Sequence, residues 1–73
     1  MTEADVGTIK VNGETRPLEA ASLSELLARA GIDAARRGTA IAINGAVVPR
    51  AEWPATRLRP GDAVEIVQPF RGG

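Results

Sequence analysis

The chain has no cysteine and no histidine, and its only aromatic residues are Trp53 and Phe70. Without cysteine it can form neither disulfides nor thiolate metal sites. The missing histidine removes the side chain most used for general base work near neutral pH, and the missing thiol removes the strongest side-chain nucleophile; together they argue against an autonomous enzyme. Net charge is absent too, since nine basic residues balance nine acidic ones. No overall field draws the chain to nucleic acid or anionic lipid. Arg36, Arg37, Arg50, Arg57, Arg59 and Arg71 are scattered and are expected to be solvated surface. Apolar runs fall far short of the roughly 20 residues needed to cross a bilayer, and "MTEADVG" lacks the basic and apolar regions of a signal peptide. The expectation is a cytoplasmic protein with no membrane and no nucleic-acid partner.

What is present is aliphatic. Apolar residues make up 44% of 73 positions, enough for one small domain, which at this size buries only about 60% of the surface its unfolded chain exposes. Residues 1–7 have no period and read as a flexible leader. From Thr8 to Val11 apolar and polar positions alternate as in a half-buried strand, and Asn12-Gly13 supplies a type I′ hairpin turn. A second strand returns from Glu14 to Leu18, with Pro17 arguing for a sheet edge. Ser22 and Glu25 have the spacing of a capping box, and Leu23, Leu26, Leu27 and Ala30 recur at helical spacing until Gly31. Ile32 is expected to fold back on the last turn. A helix of about two turns is unstable alone and must lie on a sheet.

A polar connection, 33–38, leads to a second hairpin in which Ile41 and Ile43 precede Asn44-Gly45 and Val47-Val48 return. Pro49 closes it. The stretch "RAEWPATRL" reads as an irregular crossing anchored by Trp53 and Leu58, with Trp53 a packing residue. Pro60-Gly61 and Asp62 form a turn, and the last strand follows with Val64 and Ile66 on one face. Hairpin, helix, hairpin, crossing and strand make an α+β domain, residues 8–68, with one helix packed on a mixed sheet.

The chain then ends on "QPFRGG". At an average glycine frequency of about 7%, two glycines at a specified end arise by chance roughly once in 200 chains, so the pair alone decides little. Its position decides more, because residues 69–73 form a short stalk directly after the last strand. A terminal carboxylate is inert until activated, and adenylation by ATP makes it an acyl adenylate open to a sulfur or nitrogen nucleophile. Glycine suits a narrow partner site because it has no Cβ to crowd the attack. Gly73 is therefore the candidate reactive residue, with Gly72, Arg71 and Phe70 as candidate partner contacts. Phe70 is either a docking residue or a cap folding back on the sheet.

At "AIAINGAVVPRAEW", "LRPGDAVEIV" and the closing "GG" the sequence resembles the ThiS family, sulfur carriers of thiamin thiazole synthesis, over nearly the whole chain from Thr8. The resemblance implies a ubiquitin-like β-grasp fold, about five strands with the first and last adjacent and parallel. It also implies adenylation of the Gly73 carboxylate by a ThiF-like enzyme that uses ATP, conversion to a thiocarboxylate with sulfur from a donor protein, and delivery at a ThiG-like thiazole synthase. The chain itself is expected to bind no cofactor and no metal. Pro69-Phe70 resembles instead the related small subunit of molybdopterin synthase, MoaD, whose terminal chemistry is the same and whose partner differs. A non-catalytic binding module reading a protein or RNA surface, and a tag forming isopeptide bonds on lysines, are the other classes such a chain admits.

Overall fold

A computed structural model describes residues 7–68, so Phe70, Arg71, Gly72 and Gly73 lie outside the described residues. Strands β1 (Thr8–Val11) and β2 (Glu14–Pro17) pair antiparallel, with Thr8 opposite Pro17 and Val11 opposite Glu14. The turn between them holds Asn12 at φ 51° and Gly13 at φ 85°. Positive φ at both central residues is what a type I′ turn demands, and its twist matches that of the strands it joins. β2 stops one residue earlier than the sequence pattern suggests. Leu18 leaves the ladder, and its N–H donates to the Gly7 carbonyl at 3.2 Å. Pro17, with no N–H to give, sits on an edge strand, where none is needed.

Helix α1 (Leu23–Arg29) begins where Ser22 Oγ accepts the Glu25 N–H at 3.2 Å. The Glu25 carboxylate reaches back one residue further than a standard capping box, accepting the Ala21 N–H at 3.0 Å, and also takes Arg29 Nε at 3.3 Å. The other end closes as a Schellman motif: the Gly31 N–H donates to Ala28 and the Ile32 N–H to Leu27, with Gly31 at φ 76°. The helix is thus capped at both ends by the residues its sequence nominates. Its last helical residue is Arg29, and Ala30 is the cap.

The Ala21 N–H first, then Arg29, hold the Glu25 carboxyl below its usual value of 4.5. A carboxyl lowered on folding stabilises the native state fully above that usual value, and the contribution is lost as pH falls through the lower folded value. Urea unfolding is therefore expected to show a larger drop in stability from pH 6 to pH values below about 4 for the parent chain than for Glu25→Gln. Equal drops would remove Glu25 from the acid response.

β3 (Ala40–Ile43) and β4 (Ala46–Val47) form the second hairpin, with Asn44 at φ 52° and Gly45 at φ 86° repeating the first turn. β4 is shorter than the sequence suggests. Val47 is exposed, and Val48 has left the strand to pack against the core, its N–H donating to the Ile41 carbonyl at 2.9 Å. The crossing segment is regular where an irregular one was expected: Arg50–Ala55 is a 3₁₀ helix. Pro54 lies within it, tolerated because a helix this short leaves few N–H groups with a partner to lose. Its exit clips onto the start of α1, with the Leu23 N–H on the Thr56 carbonyl at 2.9 Å and the Leu58 N–H on the Ala21 carbonyl at 3.1 Å.

β5 (Ala63–Val67) completes a five-stranded sheet among the described residues, in the order β2-β1-β5-β3-β4. It runs parallel to β1 and antiparallel to β3, so the last strand enters the middle and each hairpin lies to one side. The expected α+β, ubiquitin-like arrangement is therefore the one observed. Ile9, Ile41, Val64 and Ile66 from the sheet meet Leu23 and Leu27 from α1, and Ala20, Trp53 and Leu58 close the sides of this core.

Trp53 is 2% exposed, and its Nε1–H donates to the Val48 carbonyl at 2.9 Å. Arg50 is not merely solvated surface. Its guanidinium lies 4.7 Å from the centre of the Trp53 ring and donates from Nη2 to the Arg36 carbonyl at 2.8 Å, tying the 33–38 connection to the 3₁₀ helix.

Candidate functional site

Every residue proposed from the sequence to react or to meet a partner follows Gln68, so what the described residues define is the root of that segment. The root is the end of β5, the central strand. On one side β3 pairs with it up to Val67, opposite Ala40. On the other, main-chain pairing with β1 ends at Val11 and Val64. There Asn12 takes over: its N–H donates to the Val64 carbonyl at 2.8 Å and its Oδ1 accepts the Ile66 N–H at 2.8 Å. A turn residue thus carries the ladder one step further than its own strand.

Asn44 does the same at the start of β5. Its N–H donates to the Ala63 carbonyl at 2.8 Å, its Oδ1 accepts the Ala63 N–H at 3.0 Å, and its Nδ2 donates to Asp62 Oδ1 at 3.0 Å. Asp62 also accepts the Arg59 N–H at 2.9 Å, which is the turn role read from its place after Pro60-Gly61. Sequence reasoning took both asparagines as hairpin formers alone. Nothing local signalled the second role, because the strand they clamp lies 54 and 19 residues away.

Exchanging Asn12 for Gly keeps the turn conformation and deletes the acceptor. The expected cost is about 1 kcal/mol, read as a lower urea midpoint at unchanged m. Asn12→Asp, which retains an acceptor at that position and tolerates the same φ, should lose less. A Gly variant as stable as the parent would mean the side-chain clamp contributes nothing.

The two faces of β5 differ. Val64 and Ile66 point to α1, whereas Ala63, Glu65 and Val67 point to a face that no helix among the described residues covers, beside Ala40, Ala42 and Val47. That open face is mostly small and aliphatic, with Glu65 in its middle. On the covered side, a hollow of about 260 Å³ reaches from Val11 and Ile66 to Gln68. Among the described residues no group of His, Cys, Asp or Glu could hold a metal ion, and no helix is long and apolar enough to cross a membrane.

The sequence pattern of the ThiS family matches residues 9–73, from the first buried position of β1 through the diglycine. The chain belongs to the ThiS family. A relative from Thermus thermophilus, the sulfur carrier protein ThiS, is 40% identical over 63 residues, spanning 86% of this chain and 95% of that one. Among solved structures, the crystal structure of the thiamine biosynthesis protein ThiS from Geobacter metallireducens superposes with a TM-score of 0.72 at 30% identity, covering 90% of this chain and 99% of that one. A solution structure of a thiamine biosynthesis protein from the same organism gives 0.73 at 29% identity, covering 90% and 87%. Membership of the ThiS family makes the chain one of the sulfur carriers, proteins that are not themselves catalysts.

Proposed function

We propose that the working group is the carboxylate of Gly73. A ThiF-like enzyme adenylates it: a carboxylate oxygen attacks the α-phosphorus of ATP and pyrophosphate leaves. Sulfide-level sulfur from a donor protein then attacks the acyl carbon and AMP departs, leaving a thiocarboxylate. At a ThiG-like synthase that sulfur enters the thiazole ring of thiamin. The ThiS chain supplies no acid, base or metal to these steps; it presents one carbonyl carbon to enzymes that do, in the cytoplasm where ATP is at hand.

The observation that carries this reading is the family match running through Gly73. The named ThiS relative supports thiamin over the molybdopterin pathway that Pro69-Phe70 had kept open. The central position of β5 supports it as well. Because β5 is paired on both sides, the root of the stalk is held by ladder and clamp, and less is lost to ordering when an enzyme docks the chain. Gly72, Arg71 and Phe70 then contribute the contacts that carry the stalk into the enzyme's cleft.

Intact-protein mass spectrometry tests it. Incubated with the adenylating enzyme, ATP and a sulfur source, the chain should gain the mass of one sulfur in exchange for one oxygen. An unchanged mass, with an enzyme proven competent on another carrier, would sink the proposal. Conjugates on lysine side chains would replace it with a tagging role.

A further inference from the structure

The only asparagines in the chain, Asn12 and Asn44, each stand before a glycine and after a β-branched residue, in Val11-Asn12-Gly13 and Ile43-Asn44-Gly45. The two turns match in shape as well, with φ 51° and 85° in the first and 52° and 86° in the second. Each side-chain carbonyl accepts a main-chain N–H of β5, from Ile66 at 2.8 Å and from Ala63 at 3.0 Å. One contact separates them. Asn44 Nδ2 donates to the Asp62 carboxylate at 3.0 Å, whose other oxygen takes the Arg59 N–H. The carboxylate nearest Asn12 in sequence, Glu14, is paired instead with the Arg16 guanidinium at 3.1 Å.

Before glycine an asparagine amide is open to attack by the chain itself, because glycine has no Cβ to hinder its own nitrogen. We infer that Asn12 is the site at which the folded protein loses its side-chain amide by this route, forming isoaspartate in the turn that clamps β5, and that Asp62 protects Asn44 from the same reaction.

The reaction needs only water and hydroxide. The Gly13 nitrogen gives its proton to hydroxide and attacks Asn12 Cγ. As the N–Cγ bond forms, the carbonyl electron pair moves onto Oδ1; it returns as the Cγ–Nδ2 bond breaks, and ammonia leaves with a proton from water. The succinimide ring so formed takes up water at either carbonyl and opens to aspartate or isoaspartate. The net change is amide plus water to acid plus ammonia. Aspartate keeps an acceptor for the Ile66 N–H. In isoaspartate the main chain runs through Cβ and Cγ, so the carbonyl that gripped Ile66 becomes backbone and the turn lengthens by a methylene.

Charge decides between the two sites. The transition state puts negative charge on Oδ1, which an N–H donor stabilises and a neighbouring anion opposes. Ile66 and Ala63 supply that donor to both sites alike, but only Asn44 has a carboxylate bonded to the same amide. Its charge-assisted bond must also be given up before ammonia can leave. This chemistry is independent of any sulfur-carrier role, and its test needs no activating enzyme.

The full chain is held in mildly alkaline buffer, sampled over days, and digested with trypsin at mildly acidic pH, which halts further conversion. Cleavage after Lys10, Arg29, Arg37 and Arg50 places the two asparagines on separate peptides, 11–29 and 38–50, since Pro17 blocks cleavage after Arg16. Chromatography with mass spectrometry is expected to show aspartate and isoaspartate accumulating on 11–29 roughly tenfold faster than on 38–50, the factor one hydrogen bond to a charged group supplies. In concentrated urea the two rates should converge. Asp62→Asn, which keeps an acceptor and removes the charge, should raise the rate on 38–50 toward that on 11–29. The rate on 11–29 should stay as in the parent, which a general loosening of the fold would not allow. Equal rates in the folded chain, or faster conversion on 38–50, would overturn the assignment of Asn12. So would a gap that persists in urea, which would trace the difference to local sequence. A rate on 38–50 unmoved by Asp62→Asn would overturn the protection by Asp62.

Discussion

A chain lacking Gly73, or carrying one residue beyond it, is expected to fold normally and to accept no sulfur. Folding should survive because the core of the described residues lies between Ile9 and Ile66. Loading should fail for two separate reasons. Extension turns the reacting carboxylate into a peptide carbonyl, which has no anionic oxygen to attack ATP. Deletion leaves a carboxylate on Gly72 that falls short by one residue, about 3.5 Å. A misplacement of about 1 Å can already cost 100-fold in an enzyme site, so a shift of that size should take the reaction below detection. The two variants are to be compared with the parent by intact mass after incubation with the adenylating enzyme, and by urea midpoint. Loss of loading at an unchanged midpoint is the expected pair of results. Sulfur on the extended chain would refute Gly73 as the reactive residue.

Trp53→Ala should have the largest effect on stability of any single substitution in the domain. Truncating a buried large aromatic costs about 3–5 kcal/mol, while a domain of 73 residues holds about 4–11 kcal/mol in all. At the lower end of that range a large part of the population would be unfolded at room temperature. The ring is nearly inaccessible, walls one side of the core, and anchors the 3₁₀ helix that clips onto the start of α1. Trp53→Phe separates packing from hydrogen bonding. It keeps most of the apolar contact but leaves the Val48 carbonyl without the indole donor, for a smaller expected loss of about 1–3 kcal/mol. Circular dichroism during urea unfolding measures both, since the fluorophore is gone. An alanine variant within about 1 kcal/mol of the parent would show that the Trp53 side chain is not the anchor of the crossing segment, against the usual cost of emptying such a site.

The division of labour in this fold follows from how β5 is held. Under the proposed function the terminal segment is presented to enzymes, and such a segment is best rooted on a central strand, which has partners on both sides. Loading two hairpins of similar turn chemistry onto the flanks of one late strand achieves that in a short chain. The asparagines do double duty, setting φ at each turn and gripping β5 with their side chains. This also explains why Asn-Gly serves here where Gly-Gly would satisfy the turn alone.

Much of this was legible in the chain itself, because the features concerned act over a few residues. Alternation in Thr8–Val11 and Ala40–Ile43, Asn-Gly at both turns, the Ser22/Glu25 cap and Gly31 at the helix end each depend on neighbours within one turn or one pleat. The same locality kept the edges of the elements vague: Leu18 leaves its strand for the Gly7 carbonyl and Val48 leaves its own for the core. The diglycine is visible without a structure, and the chemistry proposed for it rests on the reactivity of a carboxylate, which belongs to the group and not to its surroundings.

Tertiary structure decided what depends on distant segments meeting. Only folding brought Asn12 to Ile66 and Asn44 to Ala63, laid Arg50 over Trp53 and onto the Arg36 carbonyl, and regularised the crossing into a 3₁₀ helix against α1. It also left, among the described residues, a hollow beside Gln68 that no pattern of residues announces. The physical reason is the same in each case: a side chain's local conformation is set by its own backbone and near neighbours, whereas its partner is set by the path of the whole chain.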